Sequence, residues 1–235
     1  MIKLEILFRD ENLVAVDKPN GLLVHRSKIA TDAEEFALQI LRNQIGQQVF
    51  PCHRLDRKTS GVLIFALNAE TNALMQKQFS ENKVEKKYLA IVRGFTDASG
   101  IIDYSLKKEN GTLQEALTIY RTIGKSEIEI PFGKQATSRY SLVEIAPKTG
   151  RMHQIRKHFA HILHPIIGDR PHGCNKQNKL FKENWNMTTM LLHASEIRFL
   201  HPVSNLEISI KAPINDEFLR TAKLLGLNLG ELHSY

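Results

Sequence analysis

The chain has 235 residues, of which 42% are apolar and 24% charged; that balance excludes a disordered or fibrous protein and leaves enough length for a sizeable core. A net charge of +7 favours an anionic partner such as nucleic acid. Only two cysteines occur, Cys52 and Cys174, too few for a disulfide framework, and no segment approaches the ~18 apolar residues of a membrane span, so a cytoplasmic protein with no membrane partner is expected.

In chain order, Leu4–Phe8 and Leu13–Val16 read as short strands joined by a polar turn, and "KPNGLLVH" turns at Pro19–Gly21. Thr31 and Glu34 form a capping box for a helix with Phe36, Ala37, Ile40 and Leu41 inward, ending near Gly46. Val62–Leu67 reads as a buried strand, and 69–82 as a helix turned inward through Ala73, Met75 and Phe79. Segments 86–94, 101–106, 115–122 and 137–146 are strand-like, with 107–114 and 124–136 as connections. A helix over about Arg151–Leu163, strands at 190–200 and 206–212, and an amphipathic helix near 216–225 complete the pattern. Strands come in runs instead of alternating with helices, which predicts an α+β fold with a mainly antiparallel sheet.

Two features of this pattern are unusual. In "HRLDRKTSG" (53–61) a single carboxylate, Asp56, lies between Arg54 and Arg57 at the mouth of a buried strand. A surface ion-pair cluster would account for it, and so would an ionised nucleophile working beside a polyanion. In "GRMHQIRKHFAHIL" (150–163) helical spacing aligns Met152, Ile155, Phe159 and Leu163 on one stripe, with Arg156 inside it and Lys157 pointing away. A guanidinium there is either a snorkelling side chain or one paired with a carboxylate or a bound anion, and Asp56 is the candidate partner. Lys148, Arg151, Arg156 and Lys157 share a window without any acid, as a phosphate-facing wall would. Tyr88, after two lysines, is an ordinary strand tyrosine or a platform for an unstacked base. The histidines and cysteines carry no zinc-site spacing, and neither a glycine-rich phosphate loop nor a Gly-x-Ser-x-Gly elbow is present, so neither a metal nor a cofactor is expected.

The blocks "VDKPNGLLVH", "HRLDRKTSGVLIFAL", "KKYLAIVRG", "PKTGRMHQIRKH", "HPIIGDRPHG" and "LLHASEIRFLHP" together resemble the RluA-type RNA pseudouridine synthases, in that family's order and over nearly the whole chain. The resemblance implies a mixed, mostly antiparallel sheet around a cleft, and a cofactor-free isomerase that turns uridine in RNA into pseudouridine. It implies that Asp56 is the catalytic aspartate, with Tyr88 stacking on the flipped base and assisting proton removal, and Arg156 paired with the aspartate. Arg54 would help flip the nucleotide, Ile155 would pack on the base, and Arg57, Lys148 and Arg151 would add substrate contacts. "VHRS" and "QIGQQVFPCHRLDR" are most similar to the branch acting on transfer RNA, at about position 65 in the T stem, with ribosomal RNA as the alternative substrate. A non-catalytic RNA-binding module or a metal-dependent hydrolase are the rivals from other classes. The chain is expected to be one catalytic domain over 1–235, a monomer without the N-terminal S4 domain of many relatives. His172 stands where the wider family often has tyrosine.

Overall fold

The computed structural model describes residues 3–25 and 35–230. In chain order the elements are β1 (Glu5–Arg9), β2 (Leu13–Lys18), α1 (Ala37–Ile45), β3 (Phe50–Pro51), β4 (Ser60–Ala66), α2 (Ala69–Ser80), β5 (Glu85–Arg93) and β6 (Ser99–Asp103). There follow β7 (Leu106–Lys107), β8 (Leu113–Gln114), β9 (Leu117–Ile128), β10 (Ser138–Pro147), α3 (Gln154–His161), α4 (Asn175–Trp185), β11 (Leu192–Leu200), β12 (Glu207–Lys211) and α5 (Asp216–Leu224). The chain divides into two compact units, residues 1–86 with 194–213, and residues 87–193 with 214–235.

In the first unit β1, β2 and β4 form an antiparallel ladder with β3 alongside β4, and β12 pairs antiparallel with β11. Every residue of β4 is buried, as its continuous apolar run requires of a strand covered on both faces. Leu13, Ala15, Val62, Ile64, Met75, Ile197, Phe199 and Ile210 form the core of this unit. Helix α1 buries Ala37, Ile40 and Leu41 and ends at Gly46, in agreement with the expected stop. It starts at Ala37, and the capping box at Thr31 and Glu34 lies outside the described residues. Helix α2 is capped by Asn68, whose Oδ1 accepts the Thr71 amide at 2.8 Å. It buries Thr71 and Met75 and half-buries Phe79, but Ala73, expected inward, is exposed.

The second unit is built on the antiparallel order β5-β10-β9-β6. Leu89, Ile91, Tyr140, Leu142, Phe181 and Phe218 pack into one cluster, and Ala90, Val92, Val143, Ile145, Ile155 and Phe159 into another. Segment 107–114, expected as a connection, contributes to the short β7–β8 hairpin, and β9 runs on to Ile128. Helix α4 has no counterpart among the expected elements: its sequence NKQNKLFKENW is largely polar and buries only Gln177 and Phe181. The helix expected over 151–163 is shorter, Gln154–His161. His153 before it and Leu163 after it have left-handed backbones, φ 56° and 65°. Met152 and Leu163 therefore leave the expected stripe and are 48% and 79% exposed, while Ile155, Arg156 and Phe159 stay buried.

Candidate active site

In the first unit Asp56 lies half-buried on the loop between β3 and β4, in a turn closed by the Thr59 amide on its carbonyl at 3.0 Å. That loop is pinned from both sides. Upstream, both backbone groups of Ile64 are taken: the Cys52 amide donates to its carbonyl at 3.0 Å, and its own amide donates to His53 Nε2 at 3.1 Å. His53 stacks on Phe79 at 4.8 Å, and burial together with the charge of Lys86 pushes its pKa down to about 3, so it stays neutral and keeps accepting.

Downstream, the turn after β2 grips Arg57 and Lys58. The Gly21 amide donates to the Arg57 carbonyl at 2.8 Å, Arg57 Nε donates back to the Gly21 carbonyl at 3.0 Å, and Asn20 Nδ2 donates to the Lys58 carbonyl. Lys18 completes the grip. Its side chain is wholly buried, and Nζ donates to the carbonyls of Pro19 at 2.9 Å, Leu22 at 2.8 Å and Arg57 at 3.3 Å. Burial pushes its pKa down to about 7, against the attraction of Asp56 and then Asp17, which favour the ammonium. The neighbouring Asp17 carboxyl is pushed up to about 6, chiefly by burial and then by Glu5, directly across the β1–β2 ladder.

In the second unit, Tyr88 is half-buried on β5 opposite Ile145 and packs against the cluster that includes Ile155. Ile155 and Arg156 occupy the first turn of α3. Gln154 sets where that turn begins. Its Oε1 accepts from the Arg151 amide at 2.9 Å and the Thr149 hydroxyl at 2.7 Å, while Nε2 donates to the Leu117 carbonyl and Thr118 Oγ1, each at 3.0 Å. All four polar groups gathered by this buried side chain are satisfied without water. Arg156 is buried, which decides against a snorkelling side chain, and makes a two-pronged ion pair with Asp169, a carboxylate the sequence reading did not name, Nε to Oδ2 at 2.8 Å and Nη2 to Oδ1 at 2.8 Å.

The structure thus places Tyr88 and Ile155 in one apolar cluster with Arg156 beside Ile155 on the same helix. Asp56 sits on a braced loop flanked by the exposed Arg54 and Arg57. Lys148 is exposed just past β10, and Arg151 Nε donates to the Glu115 carbonyl at 3.0 Å. Of the histidines on α3, His158 is fully buried, with Nε2 at 3.0 Å from the Tyr104 carbonyl, and burial lowers its pKa. His161 is exposed and stacks on Tyr104 at 3.7 Å. Sequence reasoning missed three residues, Lys18, Gln154 and Asp169: each lies inside a block that carries the resemblance, but no local pattern gives it a role. The "KPNG" turn marks Lys18 only as a turn neighbour, and Asp169 has no local pattern that pairs it with a helix 13 residues earlier.

A family described as RNA pseudouridylate synthase matches residues 12–161. A protein of Vibrio parahaemolyticus named tRNA pseudouridine synthase C is 49% identical over 226 residues, covering 92% of each chain. A protein of Pasteurella multocida with the same name is 42% identical over 243 residues, covering 98% of this chain and 99% of its own. Among solved structures, human RNA pseudouridylate synthase domain containing 4 superposes with a TM-score of 0.73 over 96% of this chain and 94% of that one; at 24% identity it speaks to the fold alone. The matched stretch carries Asp56 on its braced loop, Tyr88, and the Ile155–Arg156 turn, and the relatives cover 92% and 98% of the chain. The chain therefore belongs to the RNA pseudouridylate synthase family, whose members are isomerases acting on uridine in RNA.

Proposed function

We propose that the chain converts a uridine of transfer RNA to pseudouridine, at about position 65 in the T stem, with Asp56 as the catalytic carboxylate. The observation that carries transfer RNA as the substrate is the pair of relatives 49% and 42% identical over nearly their whole length, both named for transfer RNA; the position rests on the blocks "VHRS" and "QIGQQVFPCHRLDR". On this reading the chain works as a monomer in the cytoplasm.

The chemistry breaks the N1–C1′ bond, turns the uracil and joins C5 to C1′; the C5 proton leaves and N1 gains one, so atoms balance with no redox step. Arg54 takes part in extruding the nucleotide, a step that costs on the order of a few kcal/mol when a stem base is unpaired. Tyr88 and Ile155 receive the uracil on aromatic and aliphatic surface, and Tyr88 assists removal of the C5 proton. Asp56 acts on the uridine as the reacting carboxylate, either by bonding to C6 or C1′ and being released when C5 joins C1′, or by assisting a glycal route. Its loop suits a reacting group, because the clips at Ile64 on one side and the Lys18–Gly21 turn on the other leave it little freedom, and little ordering is required when substrate binds. Arg156 supplies fixed positive charge beside the base, and Arg57, Lys148 and Arg151 add cationic contacts to the RNA backbone.

To test the substrate, a transfer RNA transcript and protein-free ribosomal RNA are incubated separately with enzyme, and pseudouridine is mapped by carbodiimide labelling and primer extension. A stop in the T stem is expected. Stops confined to ribosomal RNA would overturn the substrate while sparing the reaction.

A further inference from the structure

The two-pronged bond on Arg156 raises the question of what holds its partner. Asp169 is even more deeply buried than the arginine, their side chains being 1% and 8% exposed. Its backbone is strapped by Asn178 of α4, whose Oδ1 accepts the Gly168 amide at 2.9 Å and whose Nδ2 donates to the Asp169 carbonyl at 2.7 Å. The turn has no room for variation. A Cβ on Gly168, where φ is +81°, would lie 1.8 Å from the Thr189 carbonyl oxygen, and one on Gly173 would lie 1.9 Å from that of Asp169. A second strap runs through His172, whose amide donates to Asp169 Oδ1 at 3.4 Å and whose Nε2 is 2.9 Å from Nδ1 of His153, the residue that precedes α3.

A buried ion pair adds little net stability compared with apolar side chains of the same size, because both charges lose their hydration. What a fork on a planar carboxylate does supply is direction: it fixes the plane and roll of a guanidinium that would otherwise sample several torsions. We infer that Asp169 is a positioning residue, which together with Asn178 holds the Arg156 guanidinium in the one orientation the isomerisation uses. The inference rests on the proposed role of Arg156 at the base, and it assigns the polar side of α4 a purpose its sequence did not disclose.

The test separates rate from binding. Single-turnover rates at saturating transfer RNA and RNA dissociation constants are measured for wild type, Asp169→Asn, Asn178→Ala, Arg156→Ala and the double variant Arg156→Ala/Asp169→Asn, with folding checked by circular dichroism. Misplacing a reacting group by about 1 Å costs on the order of a hundredfold. Asp169→Asn is therefore expected to slow the step about a hundredfold with the dissociation constant within about threefold, and Asn178→Ala about tenfold. In the Arg156→Ala background the Asp169 change should cost less than about threefold more, because the residue it positions is already gone. A folded Asp169→Asn with wild-type rate, or an equal loss in both backgrounds, would overturn the inference. Should Asp169→Asn not fold, a wild-type rate for Asn178→Ala overturns it. Arg156→Ala turning over normally would instead remove the role of Arg156 itself, a different failure from Arg156→Ala being slow while Asp169→Asn is not.

Discussion

Lys18 has no contact with water, and three carbonyl oxygens surround its ammonium. With a folded pKa of about 7 against an ordinary 10.5, burial outweighs the attraction of Asp56 and Asp17. Between those values the unfolded chain holds a proton that the folded one has released, so this group makes stability rise with pH over that window and adds no slope below it. Lys18→Met removes the effect. In urea unfolding at pH 7 and 9, the stability of wild type relative to Lys18→Met should grow by about 2 kcal/mol, on the scale of ~1.4 kcal/mol per pH unit per proton; a constant difference would contradict the assignment. Asp56 is tested by chemistry. Asp56→Asn should abolish pseudouridine formation in a nucleoside digest while RNA affinity by filter binding stays within about threefold, because phosphate contacts, not this carboxylate, carry the binding. Full turnover by the variant would rule out the nucleophile.

At the scale of elements, α3 is positioned less by its own helical propensity than by Gln154, which gathers four polar groups of the preceding loop and β9. Gln154→Leu would take this partner from the buried Thr118 hydroxyl and the Arg151 amide, while the Leu117 carbonyl keeps the Lys148 amide and Thr149 Oγ1 keeps the Leu117 amide, at a cost of about 1–3 kcal/mol for the worst of them. The urea midpoint should fall accordingly, and an unchanged midpoint would show that water replaces the side chain. This hub also explains where the sequence can be read and where it cannot. The inward arginine is legible because Ile155, Arg156 and Phe159 obey helical spacing inside the helix that forms. Met152 and Leu163 mislead because the same spacing, carried past the left-handed residues at either end, no longer applies to them. Strands with continuous apolar runs, such as β4, can hardly be missed. Helix α4, with Phe181 fully buried among lysines and asparagines, offers too narrow an apolar stripe to declare itself. Asp169 depends on a contact between a glycine-bounded turn and a helix, which no local periodicity encodes.

For the whole molecule, the net charge of +7 places an excess of cations on a chain whose proposed ligand is a polyanion. Affinity for transfer RNA should fall steeply with salt, by more than about tenfold between roughly 50 and 200 mM, since each phosphate neutralised contributes a slope of about −0.7 to −0.9 in log affinity against log salt. A flat profile by filter binding would mean that the basic surface does not meet the backbone. The central claim, isomerisation at C5 of one T-stem uridine through Asp56, is read most directly by tritium release from transfer RNA transcribed with 5-tritiated uridine. The new bond at C5 expels its hydrogen, so about one equivalent per RNA should appear in water, falling to none with Asp56→Asn or when the T-stem uridine is replaced by cytidine. Absence of release with the wild-type protein, or release undiminished by that replacement, would contradict the claim.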